Sequence, residues 1–268
     1  MTMTKLSQRF SLEDRRVLVT GATGYLGKAM AFGLAELGAT VLVNGRNRER
    51  VEEVVTELLS TGLVALPAIF DINDEDAVRE WFAQYRDAPM HGLVNNAYAG
   101  GAGSIEMATE EDYRSSYEVT LVSAHRLVQY ALPGLRAAVK GCGNASVVNI
   151  GSMYSMVSPD QRVYENKSGA NPPFYGAAKA ALLQWTRYAA CEFGHEGIRV
   201  NAISPGPFPS VSVQASSPEF VSILAGKVPL GRVGRAQEIQ GPLSFLISDA
   251  SSFVNGANLV VDGGWTCW

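Results

Sequence analysis

Residues 17–27 read VLVTGATGYLG, and this stretch decides the class of fold. Its opening run, residues 17–20, is apolar and β-branched and predicts a buried strand, whereas residues 28–37 predict a helix that Gly38 ends. Gly21, Gly24 and Gly27 lie between the two elements, where glycines permit a tight turn and a close approach of the backbone to a pyrophosphate. A glycine-rich turn without a ligand is the alternative, but the strand–loop–helix order favours a nucleotide.

The rest of the chain repeats this alternation of short β-branched runs and helical stretches. Near-continuous apolar strands indicate a sheet covered on both faces, and strand–helix alternation indicates right-handed crossovers between parallel strands. We therefore predict an α/β fold of the Rossmann type, a doubly wound, seven-stranded parallel sheet with helices on both faces. The further predicted strands are 41–43, 64–69, 92–95, 146–150, 198–203 and 258–261, and the further predicted helices are 48–60, 75–85, 110–132, 175–194 and 236–248.

Nothing in the composition divides the chain, since it has no repeat, low-complexity tract or linker. We predict a single dinucleotide-binding and catalytic domain over residues 1–268. Two irregular segments interrupt the alternation: residues 155–174, within a substrate-proximal insertion at 153–174, and residues 204–227, expected to form a substrate-binding loop. Long connections of this kind usually border the ligand crevice at the carboxyl ends of the strands.

Composition narrows the class of protein. Hydrophobic residues make up 47% and charged residues 18%, which favours a large buried core, and the net charge of −4 gives no electrostatic reason to expect nucleic acid or a membrane as partner. The first ten residues lack the apolar core of a signal peptide, no apolar run reaches the roughly 18 residues of a membrane helix, and three scattered cysteines suit a reducing compartment. We expect a soluble, cytoplasmic protein. Three histidines without ligand spacing predict no metal site.

The end of the second strand selects the dinucleotide. NAD-binding proteins place an acidic residue there to bind the ribose 2′-hydroxyl, whereas an arginine suits the 2′-phosphate of NADP. Here residues 44–48 read Asn-Gly-Arg-Asn-Arg, and the first carboxylate is that of Glu49. Because a guanidinium pairs bidentately with a phosphate, Arg46 predicts NADP in preference to NAD, with a solvated loop arginine as the alternative.

Tyr175 and Lys179 lie four residues apart, on one face of a predicted helix. An ordinary tyrosine pKa of about 10 is too high for efficient proton exchange near neutrality, and a neighbouring cation should lower it. The pattern often arises by chance, and a partly buried tyrosine beside a solvated lysine is the alternative. Ser152 supports the catalytic interpretation, because it follows the predicted strand 146–150, where a hydroxyl can donate to a substrate carbonyl.

In order and spacing, these motifs resemble those of the short-chain dehydrogenase/reductase family, in its compact single-domain branch. The resemblance runs from about Leu12 to Gly264, nearly the whole chain. The shared series is the loop 20–27, Asp71, Asn95-Asn96-Ala97, Ser152, Tyr175 with Lys179, Pro205-Gly206, and Val261-Asp262-Gly263-Gly264.

The resemblance implies a role for each of these positions. Tyr175 would be the general acid and base, Lys179 would hold the nicotinamide ribose and lower the tyrosine pKa, and Ser152 would orient the substrate carbonyl. Asp71 and Ile72 would contact the adenine. The implied cofactor-binding residues are Gly21, Thr23, Gly24, Tyr25, Leu26, Arg46, Asp71, Ile72, Asn95, Ala97, Pro205, Gly206 and Ser210, the last of which would bind the carboxamide.

Two departures from the family pattern bear on the chemistry. The glycine spacing 21-24-27 is that of the longer sugar-nucleotide branch of the family, although the large C-terminal domain of that branch is missing from this sequence. Thr120, a further catalytic candidate, stands where compact members usually have an asparagine that helps a water-linked proton relay past the lysine. Its hydroxyl, or that of Ser116 or Ser123, could hold this water. An epimerase or dehydratase with a retained nucleotide and a non-catalytic NADP-binding regulator therefore stay open as alternatives.

Ser152 and Tyr175 are 23 positions apart, more than is common in the family. The extra residues are rich in side chains that bind hydroxyls or anions, among them Arg162 and Tyr164, and Tyr98 stands beside the expected nicotinamide site where the family often has glycine. These three are the candidate substrate residues. Similar insertions occur in members that act on sugar acids and bacterial surface sugars, so the resemblance implies a sugar or sugar-acid substrate. A solvated lid that makes no substrate contact is the alternative.

The sequence ends with Trp265-Thr266-Cys267-Trp268, whose two large aromatic side chains would be exposed unless another surface covers them. Terminal apolar groups are often buried between subunits, and the family is commonly tetrameric. We expect a homo-oligomer, either a dimer or a tetramer.

Overall fold

A parallel β-sheet forms the centre of the computed structural model, which describes residues 5–85 and 88–268. Its strands are β1 (Arg16–Val19), β2 (Thr40–Gly45), β3 (Ala65–Ile69), β4 (Gly92–Asn95), β5 (Ala145–Ile150), β6 (Ile198–Pro205) and β7 (Asn258–Val261). They lie in the order β3-β2-β1-β4-β5-β6-β7, and each neighbouring pair is parallel. The prediction of a seven-stranded parallel sheet is confirmed.

Helices connect the strands and cover the sheet. They are α1 (Leu6–Phe10), α2 (Tyr25–Glu36), α3 (Arg48–Ser60), α4 (Glu75–Ala83), α5 (Glu110–Tyr117), α6 (Ser123–Cys142), α7 (Pro173–Phe193), α8 (Val211–Ser216), α9 (Pro218–Lys227) and α10 (Gln240–Ile247). A π-helical turn, Glu118–Val122, joins α5 to α6 without a break. Among the described residues, no helix combines the length and the apolar character needed to cross a membrane.

Each face of the sheet has its own hydrophobic core, because successive strand residues point to opposite faces. In β1, Val17 and Val19 pack with residues of α2, α3 and α10, whereas Leu18 packs with residues of α4, α6 and α7. All three β1 valine and leucine side chains are fully buried. Burial on both faces explains why the strands are mostly apolar, and it confirms the doubly wound arrangement.

The direction of strand addition reverses at β1, which lies between β2 and β4. The chain proceeds from β1 outward to β3 on one side, then returns to β4 and continues to β7 on the other. Such a reversal opens a crevice at the carboxyl ends of the strands. The glycine loop follows β1 and the Asn95-Asn96-Ala97 motif ends β4, so both lie at this crevice.

Several predicted helices have different bounds in the structure, and for two of them the local conformation of a glycine explains the difference. Helix α2 begins at Tyr25 rather than at residue 28, because Gly24 adopts an extended conformation and caps it directly after the loop. The helix predicted at 110–132 continues through α5, the π-helical turn and α6 to Cys142, where Gly143 ends it with a φ of 87°.

Of the two segments predicted to be irregular, only the first is irregular in the structure. Residues 153–172 contain three short 3₁₀ turns joined by irregular chain, which agrees with the irregular segment predicted at 155–174 except that residues 173 and 174 begin α7. The prediction of a single irregular stretch at residues 204–227 is wrong, because this range contains the end of β6, α8 and α9. Local signals explain both helices: the Ser210 side chain caps α8, and Pro218 occupies the first position of α9.

Candidate active site

The glycine loop, residues 20–27, depends on two of its glycines for close approach. Gly21 has a φ of 60°, in the left-handed region, and a Cβ there would lie 2.9 Å from the Cα of Ala97. At Gly27 a Cβ would lie 2.2 Å from the carbonyl oxygen of Gly21, so α2 can pack against the loop only through a glycine. The free N–H groups at the start of α2 therefore open on the crevice, an arrangement that suits a phosphate.

Asn96 holds the loop against the end of β4. Its Nδ2 donates to the carbonyl oxygens of Thr20 (2.8 Å) and Gly21 (3.2 Å). In return, the Thr20 hydroxyl accepts hydrogen bonds from the backbone N–H groups of Asn96 (2.9 Å) and Ala97 (3.1 Å). Asn96 was not a predicted site residue, and the sequence offers no signal for this contact beyond the motif itself, because residues 20 and 96 meet only in the folded chain.

A cleft of about 420 Å³ lies between the glycine loop and the ends of β2, β3 and β4. Most of the predicted cofactor-binding residues line it, namely Gly21, Thr23, Gly24, Tyr25, Leu26, Arg46, Asp71, Ile72 and Ala97. The sequence also predicted Tyr98 beside the nicotinamide site, and its side chain lines the same cleft. Residues separated by up to 77 positions thus form one concave surface.

Two arginines line this cleft, Arg46 and Arg50. The Arg46 side chain is 74% exposed, and its Nη1 lies 3.8 Å from the Asp71 carboxylate. An ion pair this exposed is weak, so the guanidinium can take up an anion. Arg50 was not predicted; it lies in the first turn of α3, and the signal that could have found it is its spacing of four residues from Arg46.

Ser152, Tyr175 and Lys179 converge beyond the end of β5. Ser152 is buried, and its hydroxyl accepts a hydrogen bond from the Tyr154 N–H at 3.1 Å. Tyr175 lies in the first turn of α7, and the Lys179 ammonium, one turn further, lies 5.9 Å from the centre of the Tyr175 ring. Lys179 is also buried, and its Nζ donates to the Ile150 carbonyl at 2.6 Å.

Burial governs the acidity of this pair. It raises the pKa of the Tyr175 phenol, and the adjacent Ser152 hydroxyl acts in the opposite direction. Burial lowers the pKa of the Lys179 ammonium to about 8. The predicted lowering of the Tyr175 pKa by Lys179 is therefore not found, because removing the phenolate from water outweighs the favourable contributions. The lysine, by contrast, can change its charge close to neutral pH.

Thr120 lies in the π-helical turn and is buried. Its Oγ1 has no hydrogen-bond partner among the described residues, whereas the nearby Ser123 hydroxyl donates to the Val119 carbonyl at 2.7 Å. The turn packs against α7, which carries Tyr175 and Lys179. Turns of this kind are frequent at functional sites, and a buried hydroxyl without a partner calls for an explanation such as an ordered water.

Asn95 takes part in a buried chain of side-chain hydrogen bonds rather than in the wall of the cleft. Its Nδ2 donates to Asn149 at 2.8 Å, and Asn149 donates in turn to the Thr186 hydroxyl of α7 at 2.8 Å. The chain connects β4, β5 and α7. The side chain of Asn95 therefore positions the elements that carry the site.

Pro205, Gly206 and Ser210 lie outside the 420 Å³ cleft. Gly206 packs on Asp262, where a Cβ would come within 2.5 Å of the Asp262 Cα. The Ser210 hydroxyl accepts from the Val213 N–H at 3.4 Å, as the cap of α8, and pairs with the Ser212 hydroxyl at 2.9 Å. The structure thus gives Ser210 a helix-capping contact.

A second cavity, of about 710 Å³, lies under the insertion. Its walls come from residues 103–106, from the insertion and from the start of α7. Tyr164 lines it, as does Tyr154, and their hydroxyl oxygens are 3.3 Å apart. Tyr154 was not predicted, although its place two residues after Ser152 could have indicated it. Burial raises the pKa of Tyr154, so this hydroxyl keeps its proton.

Arg162, the other predicted substrate residue of the insertion, lies elsewhere. Its Nε and Nη2 each donate to the Asp160 carboxylate at 2.9 Å, and it lines a separate cavity of about 320 Å³ with Lys227 and Trp265. Trp265 is buried within its own chain, whereas Trp268 is 80% exposed. In the two described ranges, 5–85 and 88–268, no cluster of His, Cys, Asp or Glu is arranged to hold a metal ion.

Comparison with known proteins places this architecture in a family. A family model described as enoyl-(acyl carrier protein) reductase matches residues 21–266. Gluconate 5-dehydrogenase of Gluconobacter oxydans is 33% identical over 265 residues, which cover 96% of each chain. The chain belongs to the short-chain dehydrogenase/reductase family.

Solved structures of this family have the same fold. A gluconate 5-dehydrogenase from Burkholderia cenocepacia, in complex with NADP and tartrate, superposes with a TM-score of 0.87 at 29% identity, covering 98% of this chain and 100% of that one. The NADP active-site complex of RhlG from Pseudomonas aeruginosa has a TM-score of 0.85 at 30% identity, covering 96% and 98%. As a short-chain dehydrogenase/reductase, the chain is an NAD(P)-dependent oxidoreductase.

The residues present fit a dinucleotide. The cleft combines a glycine loop in which Cβ atoms would collide with the backbone, the free N–H groups of α2, and two arginines near the end of β2. A short-chain dehydrogenase/reductase with these features can hold a pyrophosphate on the loop and an anionic group beside Arg46.

Proposed function

We propose that this enzyme interconverts an alcohol and a carbonyl with NADP(H), on a sugar or sugar-acid substrate, with Tyr175 as general acid and base. The observation that carries the proposal is the meeting of Tyr175, Lys179 and Ser152 beside a cleft that fits a dinucleotide. The bound nicotinamide would supply or accept the hydride. The chain's own residues would bind the reacting oxygen and move its proton.

Three side chains divide the proton chemistry. The Ser152 hydroxyl would donate a hydrogen bond to the substrate oxygen and stabilise the negative charge that develops there. In the direction of reduction, the Tyr175 phenol would give its proton to that oxygen. Lys179 would support the transient phenolate, because an ammonium with a pKa of about 8 is still mostly charged at neutral pH. Thr120 would hold a water through which the proton is replaced.

The preference for NADP over NAD rests on Arg46 and Arg50. Both line the cleft, and the strand β2 ends without the carboxylate that would bind a ribose 2′-hydroxyl. Relatives support this choice, since the Burkholderia and Pseudomonas structures were solved with NADP.

The proposed substrate class rests on the insertion and on the relatives. The 710 Å³ cavity is large enough for a sugar-sized molecule and presents the Tyr154 and Tyr164 hydroxyls. Gluconate dehydrogenases are among the proteins most similar in sequence and in structure. The insertion and residues 204–227 would form the substrate side of the enzyme.

A substrate panel tests the proposal. The purified protein is incubated with NADPH or NADH and a set of keto-sugars and keto-acids, and with the oxidised cofactors and the matching alcohols, while the nicotinamide absorbance is followed. We expect NADPH consumption with at least one polyhydroxylated carbonyl compound. Binding of NADPH without turnover of any carbonyl or alcohol would contradict the proposal and favour a non-catalytic regulator.

Tyr175→Phe tests the assigned proton donor. The variant should lose at least about 100-fold in kcat, because it removes the general acid while keeping the ring. Its Kd for NADPH should change by less than about twofold. Tyr188→Phe is the matched control, since Tyr188 lies on the same helix and is 68% exposed. Turnover by Tyr175→Phe equal to that of the control would refute the role.

The expectations of a homo-oligomer and of a cytoplasmic, reducing location stay predictions. Exposed apolar side chains at Leu230, Phe253 and Trp268 support an interface between copies of the chain. Cys142, Cys191 and Cys267 are all free and exposed, which suits a reducing compartment.

A further inference from the structure

Tyr98 contacts both members of the Tyr175–Lys179 pair. Its ring meets that of Tyr175 edge-on, with centroids 4.8 Å apart and an angle of 70° between the planes. The Lys179 ammonium lies over its face, 5.5 Å from the centroid. The Tyr175 ring and the Ile150 carbonyl also contact this cation, and no carboxylate among the described residues forms an ion pair with it. Since aromatic faces attract cations most strongly where water is excluded, the Tyr98 ring favours the charged form of the lysine.

The hydroxyl of Tyr98 is unusual, because its oxygen is buried and has no hydrogen-bond partner among the described residues. The nearby Ser116 hydroxyl donates to the Phe174 carbonyl at 3.3 Å and does not have the geometry of a hydrogen bond with Tyr98. Gly100 makes room for the phenol, since a Cβ at that position would lie 2.0 Å from the Tyr98 oxygen. A buried hydroxyl without a partner destabilises a fold, so stability alone would favour phenylalanine at this position.

We propose that Tyr98 is a positioning residue with two separable functions. Its ring holds the Lys179 ammonium and the Tyr175 ring, and its hydroxyl binds a polar atom of the ligand that enters the cleft. Tyr98 lines the cleft, so this atom is an oxygen or nitrogen of either the dinucleotide or the substrate next to it. The inference rests on the proposed function, because Tyr175 and Lys179 are the pair that Tyr98 serves.

Tyr98→Phe tests the hydroxyl. We expect the melting temperature of the ligand-free protein to be unchanged or about 2–4 °C higher, because an unpaired buried hydroxyl is removed. We expect kcat/KM to fall about 10-fold, the loss of one hydrogen bond to a ligand. The Kd for NADPH, from fluorescence titration, distinguishes the two sources: weaker binding assigns the ligand atom to the cofactor, and unchanged binding assigns it to the substrate. Unchanged kcat/KM together with unchanged Kd would overturn the proposed role of the hydroxyl, whatever the melting temperature.

Tyr98→Leu tests the ring. The titratable groups that face Lys179 are Tyr175 on its own helix and Tyr98 from the segment after β4. Without the Tyr98 face the ammonium loses a stabilising contact, so the alkaline limb of the kcat/KM profile should move to lower pH by about half a unit. Tyr98→Phe, which keeps the face, should leave this limb in place. A merely structural role would lower the melting temperature of Tyr98→Leu and leave the limb where it is.

The two proposals fail in different ways. If the wild-type enzyme binds NADPH and turns over no carbonyl, the proposed function fails, while the melting temperatures and Kd values of the Tyr98 variants can still be compared. If the wild type turns over and Tyr98→Phe and Tyr98→Leu both match the Tyr188→Phe control in kcat/KM, Kd and pH profile, only the role of Tyr98 fails.

Discussion

In the proposed function, the choice of dinucleotide depends on Arg46. Its guanidinium is largely exposed in the cleft and pairs only loosely with Asp71 at 3.8 Å. Arg46→Gln should therefore raise the Kd for NADPH by about 10- to 100-fold, the loss of a charge-assisted hydrogen bond, and leave the Kd for NADH within about twofold. Titration of the intrinsic nicotinamide fluorescence measures both constants.

Arg48→Gln provides the control for this change. Arg48 is also exposed and lies two residues further on, but it pairs with Glu52 within α3 and does not line the cleft. Its removal should leave both dissociation constants unchanged. Equal weakening of NADPH and NADH binding in Arg46→Gln would show that Arg46 contacts a part shared by the two cofactors, and the phosphate contact would be wrong.

In the proposed mechanism, the π-helical turn is the element that contributes to the proton path. It places Thr120 in the interior beside α7, with an Oγ1 that has no partner among the described residues. Thr120→Val removes this hydroxyl at nearly constant shape, so the free energy of unfolding should stay within about 1 kcal/mol of the wild type. We expect kcat to fall several-fold, because the water proposed to return a proton to Tyr175 would lose its hydrogen bond to Thr120. Denaturant unfolding and steady-state kinetics measure the two effects.

Ser123→Ala is the matched control within the same helical stretch. The Ser123 hydroxyl is buried and donates to the Val119 carbonyl at 2.7 Å. Its removal should cost about 1 kcal/mol of stability and leave kcat unchanged. A Thr120→Val enzyme with full activity would exclude Thr120 from the relay and leave Ser116 as the remaining hydroxyl to test.

The insertion and α9 behave as connected elements. Asp160 of the insertion accepts hydrogen bonds from Arg162 and from Lys227 at the end of α9, and these contacts lower the pKa of its carboxyl group. The Tyr164 ring lies 5.9 Å from that of Phe220, also in α9. Residues separated by more than fifty positions thus form one wall, which the proposed function assigns to the substrate side of the enzyme.

At the scale of the whole molecule, His91 connects the stability of the sheet to pH. Its Nδ1 accepts a hydrogen bond from the Arg16 N–H at 3.0 Å, which joins the starts of β1 and β4. Burial, and then the charges of Arg15 and Arg16, lower the pKa of His91. Because the unfolded chain binds a proton more readily than the folded one, this contribution is complete above the ordinary histidine pKa of about 6.5 and is lost as the pH falls through the lowered value.

Urea unfolding at pH 7.5 and pH 5.5 tests this linkage. The wild-type protein should lose more stability between the two values than His91→Asn, which has no group to protonate. His195→Asn is the control, since His195 is exposed, and it should retain the wild-type pH dependence. An equal loss in the wild type and in His91→Asn would show that other groups set the pH dependence.

Much of the fold was predictable from local patterns. Every strand was located within a few residues, because burial on both faces makes most residues of each strand apolar, as at 17–19 in β1 and 147–148 in β5. The start of α2 was misplaced because glycine has a low helix propensity, yet Gly27 lies inside the helix, where only close packing on Gly21 requires it. The helices α8 and α9 were missed because residues 204–227 lack a strong apolar period.

The site was predictable where function demands a residue type at a fixed place along the chain. Tyr175 and Lys179 need only helical spacing to face the same way, and Ser152 needs only the end of a strand. Arg162 shows where prediction from the sequence ends. A basic side chain in the insertion can bind either a substrate or a neighbouring residue, and in the structure Arg162 donates to the Asp160 carboxylate. Asn96 acts through contacts between separate elements, and Arg50 lines the cleft only because α3 lies beside it in the folded chain.

The sequence by itself therefore determined the layered α/β architecture, the glycine loop, the arginine at the end of β2 and the tyrosine–lysine pair. Each of these follows from residue type and from spacing along one strand or one helix. Only the tertiary structure decided the acidity of that pair, the unpaired hydroxyls of Tyr98 and Thr120, and the division of the insertion between two cavities. Burial and hydrogen-bond partners depend on chain segments far apart in sequence, and these come together only when both faces of the sheet are covered.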